Sequence, residues 1–139
     1  PLAQPACLEL MNVLLDLGYR VSLETSGALD VSGVDPRVIK IMDIKTPSSG
    51  EAPKNRFENI SSLTAHDQVK FVIGNEDDYQ WSKRIMDDYH LPERCEILFS
   101  PVSGQQSATD LAEKILQDQL PVRFHIQLHK LLWQDARGK

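Results

Sequence analysis

The sequence predicts an α/β protein built on a parallel sheet, and three observations carry that reading. Short apolar, β-branched runs alternate with stretches of helical periodicity, as they do when crossovers join parallel strands. Two of those runs end abruptly in polar signatures, Glu24-Thr25-Ser26-Gly27 and Met42-Asp43-Ile44-Lys45-Thr46-Pro47-Ser48-Ser49-Gly50-Glu51, and strand carboxyl ends are where such folds keep their chemistry. The chain's 139 residues suit one domain with a single core. Pattern alone leaves the sheet either open or curled into part of a barrel.

In chain order, Ala6 to Leu17 is an amphipathic helix with Leu8, Met11 and Leu15 on one stripe and Leu10 and Leu14 beside it. Gly18 stops it, since glycine takes the left-handed conformation readily. Tyr19 to Glu24 alternates with period two and predicts a strand, with Tyr19, Val21 and Leu23 on one face and Arg20, Ser22 and Glu24 on the other. Val38 to Asp43 is a second strand; residues 25–37 between them carry no helical pattern. Thr46 to Asn55 holds two prolines, two serines and a glycine, and is a loop. Gln68 to Ile73 is a third strand. A helix opens at Gly74-Asn75-Glu76-Asp77-Asp78, whose acids favour its dipole, and runs to about His90. Glu96 to Ser100 is a fourth strand. Ser107-Ala108-Thr109-Asp110 caps a helix to about Gln119, which Pro121 ends. Arg123 to Leu128 is a fifth strand, followed by a charged tail to Lys139.

Composition excludes several function classes. A net charge of −5 and a pI near 5.3 are the opposite of a basic nucleic-acid footprint. No run approaches the length of a membrane helix, and no signal peptide is visible, which fits a cytoplasmic protein. Cys7 and Cys95 are too few and too far apart for a disulfide scaffold or a metal knuckle, and are expected to be buried small hydrophobes. Pro1-Leu2-Ala3-Gln4-Pro5 has no initiator Met and leads straight into a helix, so the chain is expected to begin inside a larger protein.

Several constellations could bind a ligand. In the predicted fifth strand, His125, Gln127 and His129 share one face, with Phe124, Ile126 and Leu128 opposite. One polar face suggests a wet concavity, although an edge strand with a solvated side reads the same way. An amide and an imidazole at Gln127 and His129 would stand about 7 Å apart and could read a heterocycle's edge. As a metal site, His125 with His129 lacks a third ligand. Asp43 and Lys45 flank Ile44, so they can point the same way and pair, either structurally or around a ligand. Glu24 and Ser26 add a carboxylate and a hydroxyl, and Ser100-Pro101-Val102-Ser103-Gly104 is another small polar turn after a strand. Glu76-Asp77-Asp78 reads as a solvated helix start, His66 and His90 as capping or exposed, and Trp81, Tyr89 and Trp133 as packing residues. There is no glycine-rich phosphate loop and no nucleophile elbow.

Taken together, Pro1 to Pro5, Tyr19 to Gly27, Met42 to Glu51 and Gln127 to Trp133 resemble the 7-carboxy-7-deazaguanine synthase family of radical S-adenosylmethionine (SAM) enzymes. The resemblance spans essentially the whole chain, and the loop from Asp43 to Glu51 is its most specific part. It implies a partial, curved parallel β/α barrel, of which residues 1–139 would be the C-terminal portion of one core domain, without its first strands. It implies a cytoplasmic homodimer with SAM, a [4Fe-4S] cluster on a CxxxCxxC loop, and Mg²⁺. The implied reaction is a lyase-type ring contraction of 6-carboxy-5,6,7,8-tetrahydropterin, started by the 5′-deoxyadenosyl radical. Ammonia is lost and 7-carboxy-7-deazaguanine is formed, in queuosine and 7-deazapurine biosynthesis. A reductant such as flavodoxin would be a partner, with neither nucleic acid nor membrane.

By the same resemblance, Asp43, Ile44 and Lys45 lie beside SAM, and Ser100, Pro101, Val102 and Ser103 form a second SAM-contacting turn. Glu24 and Ser26 neighbour the SAM amino acid or ribose, while Gln127 and His129 face the pterin. Some relatives reach substrate with a C-terminal carboxylate; this chain continues past that place, near Asp135. It also departs from the family in having no CxxxCxxC, for which Cys7 and Cys95 cannot substitute. The cluster and Mg²⁺ ligands are therefore expected upstream, and this chain alone is expected to be inactive. Two other readings remain: another radical SAM enzyme such as an activase, and a cluster-free binding or dimerisation module.

Overall fold

Five strands, all parallel, stand side by side in the order in which the chain makes them: β1 (Ser22–Thr25), β2 (Ile39–Ile44), β3 (Gln68–Ile73), β4 (Glu96–Pro101) and β5 (Arg123–Phe124). The computed structural model describes residues 1–133, apart from the side chains of His129 and Leu131. The helices are α1 (Cys7–Asp16), α2 (Glu76–Asp88), α3 (Ala108–Gln117) and α4 (Leu128–Trp133). The sheet is not closed. Because parallel crossovers share one hand, a sheet wound steadily in one direction carries its connections on one face. The other face is left for something else.

The covered face is the core. Met42, Ile44, Val69, Phe71, Ile73, Ile97 and Phe99 point into it and meet Tyr79, Ile85 and Met86 of α2 and Leu111 and Ile115 of α3. Edge-to-face rings bind the sheet to α2: Phe71 with Trp81, 6.3 Å between centroids, and Tyr79 with Phe99, 5.9 Å. A second cluster seats Met11 of α1, with Leu14 and Leu15, against Val21, Leu23, Val31, Val34 and Val38. Every strand residue in these clusters lies on the same side of its strand, as the pairing register requires.

Side-chain caps start the helices where the sequence places them. Asn75 accepts from the Asp78 N–H, and Ser107 from the Asp110 N–H. Residues 25–37 form no α-helix, and the loop after β2 contains only short 3-10 turns. At the closed, N-terminal end of the sheet, Lys40 and Asp67 form a buried ion pair, 3.1 Å, with neither side chain more than 3% exposed. Asp67 also accepts from the N–H groups of Lys40 and Thr64, so its lone pairs are filled.

Five expectations need correction. The first strand begins at Ser22, and Tyr19 is exposed, because Gly18 turns the chain at φ +84° before the edge strand begins to pair. The fifth strand covers only Arg123 and Phe124, and at Leu128 the chain has already become helical. Asp78 is not a solvated helix start but fully buried. Trp133 is not a packing residue, since it is 47% exposed. Cys95 is buried as expected, whereas Cys7 is only half-buried.

Candidate functional site

The register sets residues of neighbouring strands side by side on the uncovered face. Glu24 stands beside Ile41, Asp43 beside Lys70, Lys70 beside Leu98, and Val72 beside Ser100. A cleft of about 330 Å³ opens above this row, with Glu24, Thr25, Ser26, Asp43, Lys45 and Lys70 among its walls. A second cleft of about 340 Å³ shares Asp43 and Lys45 and extends to Val102 and Gln127. The two form one polar trough along the carboxyl ends of the strands, where a parallel α/β sheet is built to hold a ligand.

Asp43 and Lys45 do point the same way and pair, with Lys45 Nζ 2.9 Å from Asp43 Oδ2. Lys70 Nζ lies 4.0 Å from the same oxygen. The other oxygen, Asp43 Oδ1, is buried and has no hydrogen-bond partner among the described residues. A buried acceptor without a donor is unfavourable in a finished protein and is satisfied when a donor arrives from a ligand. Ile44 sends its side chain into the core, 3% exposed, so it offers a ligand only its backbone.

The loop after β2 is fastened from three sides. Asn55 accepts from the Lys45 N–H (2.9 Å) and donates to the Lys45 carbonyl (2.8 Å), which extends the strand's hydrogen bonding past its end. Thr46 Oγ1 donates to the Val72 carbonyl, 3.0 Å. Asp78 accepts from the N–H groups of Ser48 and Gly74, both 2.9 Å, and from the Ser48 hydroxyl. On the β1 side, Gly27 turns at φ +69°, and a Cβ there would stand 3.0 Å from Met42 Cγ. Asn59 then donates to the Gly27 and Leu29 carbonyls, holding Glu24 to Ser26 at the trough.

The β4–β5 side supplies a second set of unsatisfied groups. Ser100 is fully buried, and its hydroxyl has no partner among the described residues. His125, whose N–H bonds the Phe99 carbonyl, has a buried Nδ1 in the same condition. Burial, and then the charges of Lys70 and Arg123, push the His125 imidazolium below its usual pKa, with Glu24 opposing. Its neutral form is favoured at physiological pH. The Val102 N–H is taken by the Ile73 carbonyl, 2.8 Å. Pro101 and Ser103 line an adjoining hollow with Gln127, not the trough itself.

The structure thus brings Glu24, Ser26, Asp43, Lys45, Val102 and Gln127 to the trough, whereas Ser100 is fully buried and lines neither cleft. It does not place Gln127 and His129 on one strand face: Gln127 starts α4, where its carbonyl accepts from the Lys130 N–H, and the His129 side chain lies outside the described residues. Sequence reasoning missed Lys70. A lysine inside an apolar strand was the available signal. It also left His125 as half of a weak metal pair; among the described residues, no group of three His, Cys, Asp or Glu could hold a metal ion.

Comparison with known proteins gives relatives along nearly the whole chain. A 7-carboxy-7-deazaguanine synthase of Chlorobaculum tepidum is 43% identical over 99% of this chain and 64% of its own length. One from Koribacter versatilis is 38% identical, covering 88% of this chain and 60% of the relative. One from Methanospirillum hungatei is 37% identical, covering 89% and 51%. The chain therefore spans between half and two thirds of these relatives. No protein-family model matches it.

Proposed function

We propose, on the premise that this chain is a homologue of the 7-carboxy-7-deazaguanine synthases, that its trough belongs to such an enzyme and receives SAM beside a pterin substrate. The observation that carries the reading is the ion-paired Asp43, with one oxygen on Lys45 and its other oxygen buried without a donor. An amino acid ammonium or a ring N–H satisfies that oxygen. The reaction proposed is conversion of 6-carboxy-5,6,7,8-tetrahydropterin to 7-carboxy-7-deazaguanine with loss of ammonia. It is the activity of a protein as long as those relatives, acting in the cytoplasm as a homodimer fed by a reductant such as flavodoxin.

The roles of the residues follow from their chemistry. Asp43 accepts from the ligand, and Lys45 holds Asp43 in place. Glu24 and Ser26 face the ligand's polar end, while Ser100 and the turn through Val102 close the far side. Gln127 stands at the pterin end. SAM, when bound, supplies the group that takes hydrogen from the substrate. A sheet wound in one direction with one uncovered face suits a partial barrel whose concave side is this trough.

An iron–sulfur cluster or Mg²⁺ does not fit the residues described. Cluster ligands are thiolates. Cys95 is buried in the core, where burial and then the Asp67 charge push its thiol up to about 11. Cys7, the first residue of α1, packs against the other cluster. This chain's contribution is to bind, orient and exclude water.

The test is anaerobic incubation of the intact protein, with SAM, reductant and 6-carboxytetrahydropterin, followed by mass spectrometry. The reading expects 7-carboxy-7-deazaguanine. Binding of SAM without pterin turnover would instead favour another radical SAM enzyme.

A further inference from the structure

Lys70 is a cation whose charge the protein leaves incompletely answered. It sits inside β3, with its side chain only 17% exposed, on the face that lines the trough. Its carboxylate contact is Asp43 Oδ2 at 4.0 Å, an oxygen Lys45 already holds at 2.9 Å. One carboxylate therefore serves two ammonium groups, and the looser of the two is the more deeply seated. Toward β5 no ion pair answers it among the described residues: Leu98 is its register partner, and Glu96 on the same strand is taken by Arg123, 3.2 Å. On the other flank stands Glu24, which has no ion-pair or hydrogen-bond partner among the described residues. Glu24 and Lys70 lie two strands and two residues apart, about 12 Å between Cα atoms. Their side chains converge on the same cleft.

An incompletely paired acid and an incompletely paired base facing one cavity are complementary to a ligand with a donor end and an acid end. We propose that Lys70 pairs with a carboxylate of the bound ligand while Glu24 takes its donor end. This rests on the functional reading above, under which two such carboxylates are available: that of the amino acid moiety of SAM and that of the 6-carboxypterin. The ammonium, already partly dehydrated in the strand, loses little further water on pairing.

The experiment measures binding to the intact protein and its Lys70→Gln and Lys70→Arg variants by calorimetry. The probes are SAM, decarboxylated SAM, 6-carboxypterin and pterin. Lys70→Gln is expected to weaken one acidic probe roughly tenfold or more and leave its decarboxylated counterpart unchanged. The pair that responds identifies the source of the carboxylate. Lys70→Arg should retain most of the affinity, because it keeps the charge. Equal loss for an acid and its decarboxylated form, or no loss for either, overturns the assignment. Wild-type protein that binds none of the four sinks the functional reading, and this assignment with it.

Discussion

The carboxylate of Asp78, in the first turn of α2, accepts a 2.9 Å hydrogen bond from the backbone N–H of Ser48, thirty residues earlier in the loop after β2. It also bonds the Ser48 hydroxyl and the Gly74 N–H, so one buried side chain joins the loop, the end of β3 and the start of α2. Asp78→Ala leaves the buried Gly74 N–H and the half-buried Ser48 N–H without acceptors. That should destabilise the protein by roughly 2–4 kcal/mol, read from chemical unfolding. Asp78→Asn, which keeps an acceptor oxygen, should recover part of the loss; equal loss for both variants would mean that the packing of α2, not the hydrogen bonds, sets the effect.

The Lys40–Asp67 pair predicts an acid limb in the stability profile. Burial alone raises the Asp67 pKa, but the Lys40 and Thr64 amides and the Lys40 ammonium win and hold it below 3.8. A carboxyl with a depressed folded pKa contributes stability above its unfolded value and loses it as pH falls through the folded one. Stability should therefore be flat from pH 7 to about 5 and fall below about 4. Asp67→Asn should be destabilised by about 3–5 kcal/mol at pH 7, with a flatter acid limb, because it leaves Lys40 charged and alone. Urea unfolding at a series of pH values measures both.

Much of this arrangement is legible in the sequence, for identifiable reasons. β2, β3 and β4 are runs of apolar and β-branched residues packed from one side, and α2 and α3 carry their own caps at Asn75 and Ser107. Those signals are local. The pairing of Asp43 with Lys45 was legible too, because alternation in a strand settles it. Arg123 to Leu128 misled because period-two alternation shows what a strand could do, whereas strand length depends on a neighbour. β5 has β4 on one side only, and past His125 the chain leaves to form α4. The burial of Asp78 depends on Ser48, and the standing of Lys70 on the register beside Asp43; neither relation is written in nearby residues.

The two cysteines should differ sharply in reactivity. With its thiol at about 11, Cys95 is roughly one part in a thousand thiolate at pH 8, and its sulfur is covered by the core. Cys7, at the start of α1, is half-buried. A disulfide reagent at pH 8 should label Cys7 and spare Cys95 in the native protein, and label both in urea. Two thiols reacting at one native rate would mean that the core around Leu91 and Ile97 opens far more readily than its packing implies.

Asp43→Asn should separate binding from folding. The carboxylate is about one-fifth exposed and takes part in no core contact, so its loss should change stability by less than about 1 kcal/mol. In the trough the effect is larger: Lys45 and Lys70 lose their shared counter-charge and repel each other, and the acceptor facing the ligand becomes neutral. SAM affinity in the intact protein should fall about tenfold or more, measured by calorimetry at matched ionic strength. Lys45→Met should also weaken binding but by less, since Lys70 remains within reach of Asp43. If Asp43→Asn unfolds the protein and leaves the affinity of the folded fraction intact, the Asp43–Lys45 pair is a structural clamp, and the ligand must be held by the Ser100–His125 side of the trough.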